Sequence, residues 1–140
     1  MKIVIINTSE RTGGAAVAAG RLGKALEQAG IQVDKLVRKD TWLNRFRFYW
    51  ERLNIIHLHW INQGFLSVSN LGKLINSGKP IVWTLHDLWP TTAICHYPDK
   101  CKKYQSKCSQ CPLQVTNSLF DLANWTYNSK EGFEKTISVA

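Results

Sequence analysis

Three groups of residues in this sequence have the types and spacing to do chemistry. The first is Gly13-Gly14, which stands between an apolar run and a helical pattern. Glycine lets the backbone come close to an anion, and a helix N-terminus offers unpaired N–H groups with partial positive charge. A pyrophosphate is a natural guest there. Neither G-x-G-x-x-G nor G-x-x-x-x-G-K-[ST] is present, so spacing alone leaves a simple turn as an equal reading. The second group is His57, His59 and Trp60 with His86-Asp87. An imidazole can accept a proton or hydrogen-bond a ligand oxygen, and Asp87 can orient a neighbouring imidazole or bind a hydroxyl. His57 is expected to be a structural histidine satisfied by loop carbonyls; His86 is expected to be functional. The third group is Cys95-x5-Cys101-x6-Cys108-x2-Cys111. A C-x2-C pair brings two thiolates to one tetrahedral metal, and two more close the shell, which predicts a structural zinc. His96 is a substitute ligand. Two disulfides are the alternative, in an oxidising compartment.

These residues need elements to position them. Lys2-Ile-Val-Ile-Ile-Asn7 is a β-branched run of the kind that forms a central parallel strand covered on both faces. After the Thr8–Gly14 loop, Ala18, Leu22, Ala25, Leu26 and Ala29 recur at helical spacing, and Gly30 ends the helix. Ile31–Val37 follows as a strand, completing a βαβ unit. Asn54–His59 and Ile81–Leu85 read as two further strands, with a short helix through Leu71, Leu74 and Ile75 stopped by Gly78. A polar helix is expected over about 117–134 and a last strand over Thr136–Ala140. The fold class predicted is α/β: a Rossmann-like, open, mostly parallel sheet with helices on both faces. Residues 91–114 form an irregular cysteine-rich insert within a single domain, 1–140, cut at its last strand. In such sheets ligands bind at the carboxyl ends of the strands, so Gly13-Gly14 and His86 should share one rim.

Residues 42–53 carry Trp42, Phe46, Tyr49, Trp50 and Leu53 on one helical stripe, with Arg45 and Arg52 elsewhere on the cylinder. Packing on the domain's own sheet is the favoured reading, and peripheral contact with an anionic membrane is the other. The chain has 140 residues, 44% hydrophobic and 20% charged, which describes one globular domain and excludes a disordered tract. No apolar run approaches the roughly 20 residues of a membrane helix, and the start lacks the apolar core of a secretion signal. A cytoplasmic location is expected, with thiols reduced. The net charge of +8 suits an anionic partner, be it a nucleotide diphosphate, an acidic lipid or a nucleic acid.

Thr8–Ala16, then Ile55-Ile-His-Leu-His-Trp-Ile-Asn-Gln-Gly-Phe-Leu66, then Pro80-Ile-Val-Trp-Thr-Leu-His-Asp-Leu-Trp-Pro90 resemble bacterial family-four glycosyltransferases. Cys95-His-Tyr, Cys101-x2-Tyr104 and Cys108-x2-Cys-Pro112 extend the likeness to a subgroup with a four-cysteine insert. The resemblance implies the amino-terminal, acceptor-side half of a GT-B enzyme. Such enzymes move a sugar from a nucleotide-sugar donor to a saccharide or lipid-linked acceptor in surface polysaccharide synthesis, with no catalytic metal. It implies that Gly13 and Gly14 border the donor pyrophosphate and that His86, with Asp87, lies near the acceptor or the transferred sugar. Ala15, His59, Trp60 and Asn62 fall in the matched stretches as further donor- or substrate-binding positions.

Two departures accompany the likeness. The donor-binding domain of the family is missing from this sequence, and the stretch before Asn54 is shorter than in relatives. The chain alone is therefore expected to transfer no sugar. The competing readings are a small zinc-dependent nucleic-acid binder, motivated by charge and cysteines, and a noncatalytic remnant. No nucleic-acid module is matched, and none is expected as partner.

Overall fold

A computed structural model describes residues 1–38, 50–114, 121–133 and 138–139. They fall into two compact units, Met1–His86 with Ile137–Ala140, and Asp87–Thr136.

The first unit is an α/β, Rossmann-like open sheet. Its strands are β1 (Lys2–Asn7), β2 (Gln32–Val37), β3 (Ile55–Leu58), β4 (Ile81–Trp83) and β5 (Ser138–Val139). Their order is β2-β1-β3-β4-β5, and every neighbouring pair is parallel. All six residues of β1 are buried, as its unbroken apolar run requires of a strand covered on both faces. The chain moves from β1 outward to β2 on one side, then from β3 to β4 on the other. With the right-handed sense such crossovers take, helices in these two connections lie on opposite faces. The direction reverses between β1 and β3, which makes their carboxyl ends the switch point of the sheet.

Helix α1 (Gly14–Gln28) follows β1, and α2 (Val68–Ile75) lies between β3 and β4. Ser67 caps α2, its side chain accepting from the Asn70 N–H at 3.1 Å, and Leu71, Leu74 and Ile75 are its buried side. The face α1 buries differs from the stripe expected. Ala15, Ala16, Ala19 and Gly23 are its buried residues, Leu22 and Leu26 pack at the margin, and Ala25 and Ala29 are exposed. The smallest residues face the sheet and the leucines flank them; a Cβ at Gly23 would meet Ile5 Cδ1 at 3.5 Å, an ordinary contact, and displace only the flexible end of Lys35. Ala19 meets Ile3 and Ile5 there.

The aromatic stripe of 42–53 lies mostly outside the described residues; Trp50–Arg52 forms a short 3-10 turn and Leu53 is buried. Of the helix expected over 117–134, α3 (Leu122–Lys130) is described, and of the last strand, Ser138–Val139.

The second unit buries only a small apolar cluster and is pinned by polar bonds from α3. Its small core joins Ala93, Cys108 and Ala123, with Ile94, Tyr104, Cys111 and Tyr127 against them. Asp121 caps α3, accepting from the Asn124 N–H at 2.8 Å while its other oxygen accepts from the Cys111 N–H at 3.0 Å. Those backbone donors, Cys111 first, hold its carboxyl below the usual range. Lys130 donates to the carbonyls of Trp89 and Ala93 at 2.6 and 3.0 Å, with its ammonium 3.9 Å from the centre of a Trp89 ring. Burial lowers its pKa to about 8. Among the described residues no helix is long and apolar enough to cross a membrane.

Candidate functional site

The exits of β1, β2 and β3 converge because all three strands run the same way. Asn7, the last residue of β1, is buried and joins the first exit to the third. Its Oδ1 accepts from the Trp60 N–H at 3.0 Å, and its Nδ2 donates to the Ser9 carbonyl. The Thr8 hydroxyl lies 2.7 Å from the Trp60 carbonyl and 3.0 Å from that of Asn62. Arg38, one residue beyond β2, donates its backbone N–H to the Thr8 carbonyl and its Nη1 to the Gln63 carbonyl at 2.9 Å. Gln63 itself takes φ 58°, a left-handed conformation that few side chains adopt.

Together these exits enclose a cleft of about 750 Å³, lined along the β1 loop from Asn7 to Gly13 and by Val37, Arg38, Trp60 and Gln63. Gly13 has φ +91°, which favours glycine, and no side chain caps α1. The first intrahelical bond runs from Val17 N–H to the Gly13 carbonyl at 3.2 Å, so the N–H groups before it lack helical partners. Arg11 and Arg38 supply positive charge to the same lining, offset in part by Glu10. Such a lining suits an anion of diphosphate size.

Of the expected binding positions, Gly13 and Trp60 line this cleft. Gly14 opens α1 and Ala15 is buried in it, while Asn62 is buried at the β3 exit. Asn7, Thr8, Arg11, Arg38 and Gln63 escaped the sequence reading. Arg38 was the findable one, since it directly follows an apolar strand in a parallel sheet.

His86 follows β4 at the same rim of the sheet but does not line the cleft; it belongs to a stack of imidazoles. Strand alternation puts His57 and His59 on one face, and their rings stack with centroids 4.8 Å apart. His59 and His86 are 5.2 Å apart, and His59 Nδ1 lies 2.9 Å from His86 Nε2. His57 Nε2 meets the Thr84 hydroxyl at 2.9 Å, so this ring is satisfied by a side-chain hydroxyl rather than the loop carbonyls expected. His59 is 3% exposed, and its carbonyl accepts from Trp83 Nε1 at 3.0 Å. Burial, with smaller effects from His57 and His86, lowers its pKa to about 4. Burial lowers that of His57 also. His59 is neutral at pH 7.

In the second unit, Asp87 does orient an imidazole, and it is that of His96. Its Oδ2 lies 2.6 Å from His96 Nδ1, and its Oδ1 accepts from the Trp89 N–H at 2.9 Å. Cys95, Cys101, Cys108 and Cys111 are all free thiols, and all four line one cavity of about 20 Å³. Burial pushes the Cys108 thiol up, the Ala93 N–H opposes this, and the other three thiols add smaller upward pushes. Among the described residues no three His, Cys, Asp or Glu side chains are gathered in a metal-holding group.

No family model and no solved structure matches the chain. A stretch of 62 residues is 34% identical to the putative colanic acid biosynthesis glycosyl transferase WcaC of Escherichia coli (strain K12). That likeness supports a glycosyltransferase relationship. It covers 42% of this chain, which spans 15% of that protein's length. A glycosyltransferase site in general terms must hold a nucleotide-sugar donor and an acceptor. The polar cleft with its arginines and uncapped helix has the chemistry for the anionic part of such a donor.

Proposed function

We propose that the first unit is the acceptor-side half of a family-four, GT-B glycosyltransferase, with its β1 loop bordering the pyrophosphate of a nucleotide-sugar donor. The observation that supports this most is the cleft at the β1–β3 switch point, lined by Gly13, Arg11 and Arg38. His86 stands at the same rim for the acceptor or the transferred sugar. The acceptor is a saccharide or a lipid-linked saccharide in surface polysaccharide synthesis, a setting favoured by the colanic acid assignment of the relative. The location in this reading is cytoplasmic, with peripheral contact at the inner membrane face as the alternative for a lipid-linked acceptor. Transfer by an enzyme of this architecture also requires a donor-binding partner domain. The purified chain alone is expected to transfer no sugar.

The test is titration of uridine and guanosine diphosphates and of inorganic pyrophosphate, followed by amide chemical shifts. Gly13, Gly14 and Arg38 should move. Arg38→Ala, on an exposed side chain, should weaken binding about tenfold by removing a charge-assisted bond to phosphate. Shifts confined elsewhere, or an unaffected Arg38→Ala, would overturn the assignment. Salt-dependent binding of oligonucleotides without any nucleotide diphosphate binding would favour the small zinc-dependent nucleic-acid binder instead.

For the second unit we propose a structural zinc held by Cys95, Cys101, Cys108 and Cys111. The support is that four free thiols line one cavity in a unit with little apolar core. Their placement is more open than a coordinating set, so metal binding would draw them inward. Reduced protein purified without chelator should carry about one zinc per chain, and its removal should unfold the second unit. Less than about half an equivalent after reconstitution ends this proposal.

A further inference from the structure

We propose that His59 is a positioning residue that holds His86 in the Nδ1–H tautomer, so that His86 offers its ligand a hydrogen-bond donor and no basic nitrogen. The inference rests on the reading of His86 as a ligand-facing residue only for its functional meaning; the tautomer follows from geometry alone.

A nitrogen-to-nitrogen hydrogen bond at 2.9 Å between two imidazoles contains one proton. Either His59 Nδ1–H donates to His86 Nε2, or His86 Nε2–H donates to His59 Nδ1. The two arrangements differ at the far nitrogen of His59. Its Nε2 is buried and has no hydrogen-bond partner among the described residues. If His59 donates, that nitrogen is a bare lone pair. If His59 accepts, the same nitrogen carries an N–H buried without an acceptor. Orphaned buried N–H groups are rare in folded proteins, and an unmet acceptor is the more tolerable defect. A doubly protonated His59 would put the charge in a buried site, stacked on His57, and is disfavoured further. His59 is therefore the donor.

His86 follows as the acceptor at Nε2, with its proton on Nδ1. Its Nε2 lone pair is taken, so it does not act there as a general base toward a ligand. Its Nδ1–H suits a sugar hydroxyl or phosphate oxygen. The backbone holds the arrangement in place. His59 N–H donates to the Ile6 carbonyl at 2.9 Å, and Trp83 Nε1 donates to the His59 carbonyl.

Long-range proton–nitrogen NMR on histidine-labelled protein at pH 7 reads each ring's tautomer directly. His86 should show a protonated Nδ1 and an unprotonated Nε2; a protonated His86 Nε2 in the unmodified protein overturns the proposal without any variant. His59→Leu removes the donor, and His86 should revert to the Nε2–H form that free imidazole prefers. His59→Asn places an amide N–H near the same position and should retain the Nδ1–H form. A folded His59→Leu with His86 unchanged also overturns it. Nucleotide and saccharide titrations that leave His86 resonances unmoved would count against the functional reading while leaving the tautomer intact.

Discussion

Replacing Trp83 with alanine should destabilise the first unit by about 3–5 kcal/mol. Trp83 is 2% exposed and sits on β4 between β3 and β5, so its loss opens a large cavity that the sheet cannot close. It also removes the donor to the His59 carbonyl. Trp83→Phe separates the two effects. It keeps most of the volume and should still cost about 1–3 kcal/mol, because a buried carbonyl is left unpaired. Urea denaturation reads both as a shift in midpoint at constant slope. Since small domains are stable by only about 5–15 kcal/mol in all, Trp83→Ala should leave a measurable unfolded fraction in water. A loss under about 1 kcal/mol for the alanine variant would contradict the packing described here.

Acid should be the second large effect. His59 is neutral in the fold, with a pKa near 4, whereas an unfolded chain would titrate it near 6.5. Above pH 6.5 both states are neutral and the contribution is complete. As the pH falls, the unfolded state takes the proton first, so stability drops through the interval down to about 4 and then levels. The loss over the whole interval is about 3 kcal/mol, and His57, lowered in the same direction, adds to it. Carboxylates contribute their own acid limb, so the informative comparison is with His59→Asn, which removes this titration. The variant should lose less stability than the parent between pH 7 and pH 4.5; parallel curves would show that His59 is not held neutral by the fold.

Both effects centre on the third and fourth strands, where a buried aromatic, a carbonyl and a pair of imidazoles are joined. They bear on function because His86 presents a defined tautomer only while the fold holds His59 Nδ1 against its Nε2. Where acid unfolds the first unit, any ligand response at His86 should be lost with it.

The parallel sheet, and the rim on which chemistry must occur, are legible in residue pattern alone. Ile3 to Ile6 carry no polar residue, which only a strand covered on both faces tolerates, and a parallel sheet puts every loop after a strand at one edge. Legible too is the shared face of His57 and His59, because strand periodicity is two. Helix α1 shows where such patterning stops. The spacing of Ala18, Leu22, Ala25, Leu26 and Ala29 marks a stripe, yet the helix buries Ala15, Ala16, Ala19 and Gly23, setting its smallest residues against the sheet with the leucines at the margin. Partner choice among polar side chains lay further out of reach. Asp87 adjoins His86 in sequence but bonds His96, and Arg38 reaches the cleft through a carbonyl 25 positions away. These pairings depend on strand order and on the point where the chain reverses direction across the sheet. Local residue preference carries no record of either, so these pairings emerge only when the strands are assembled.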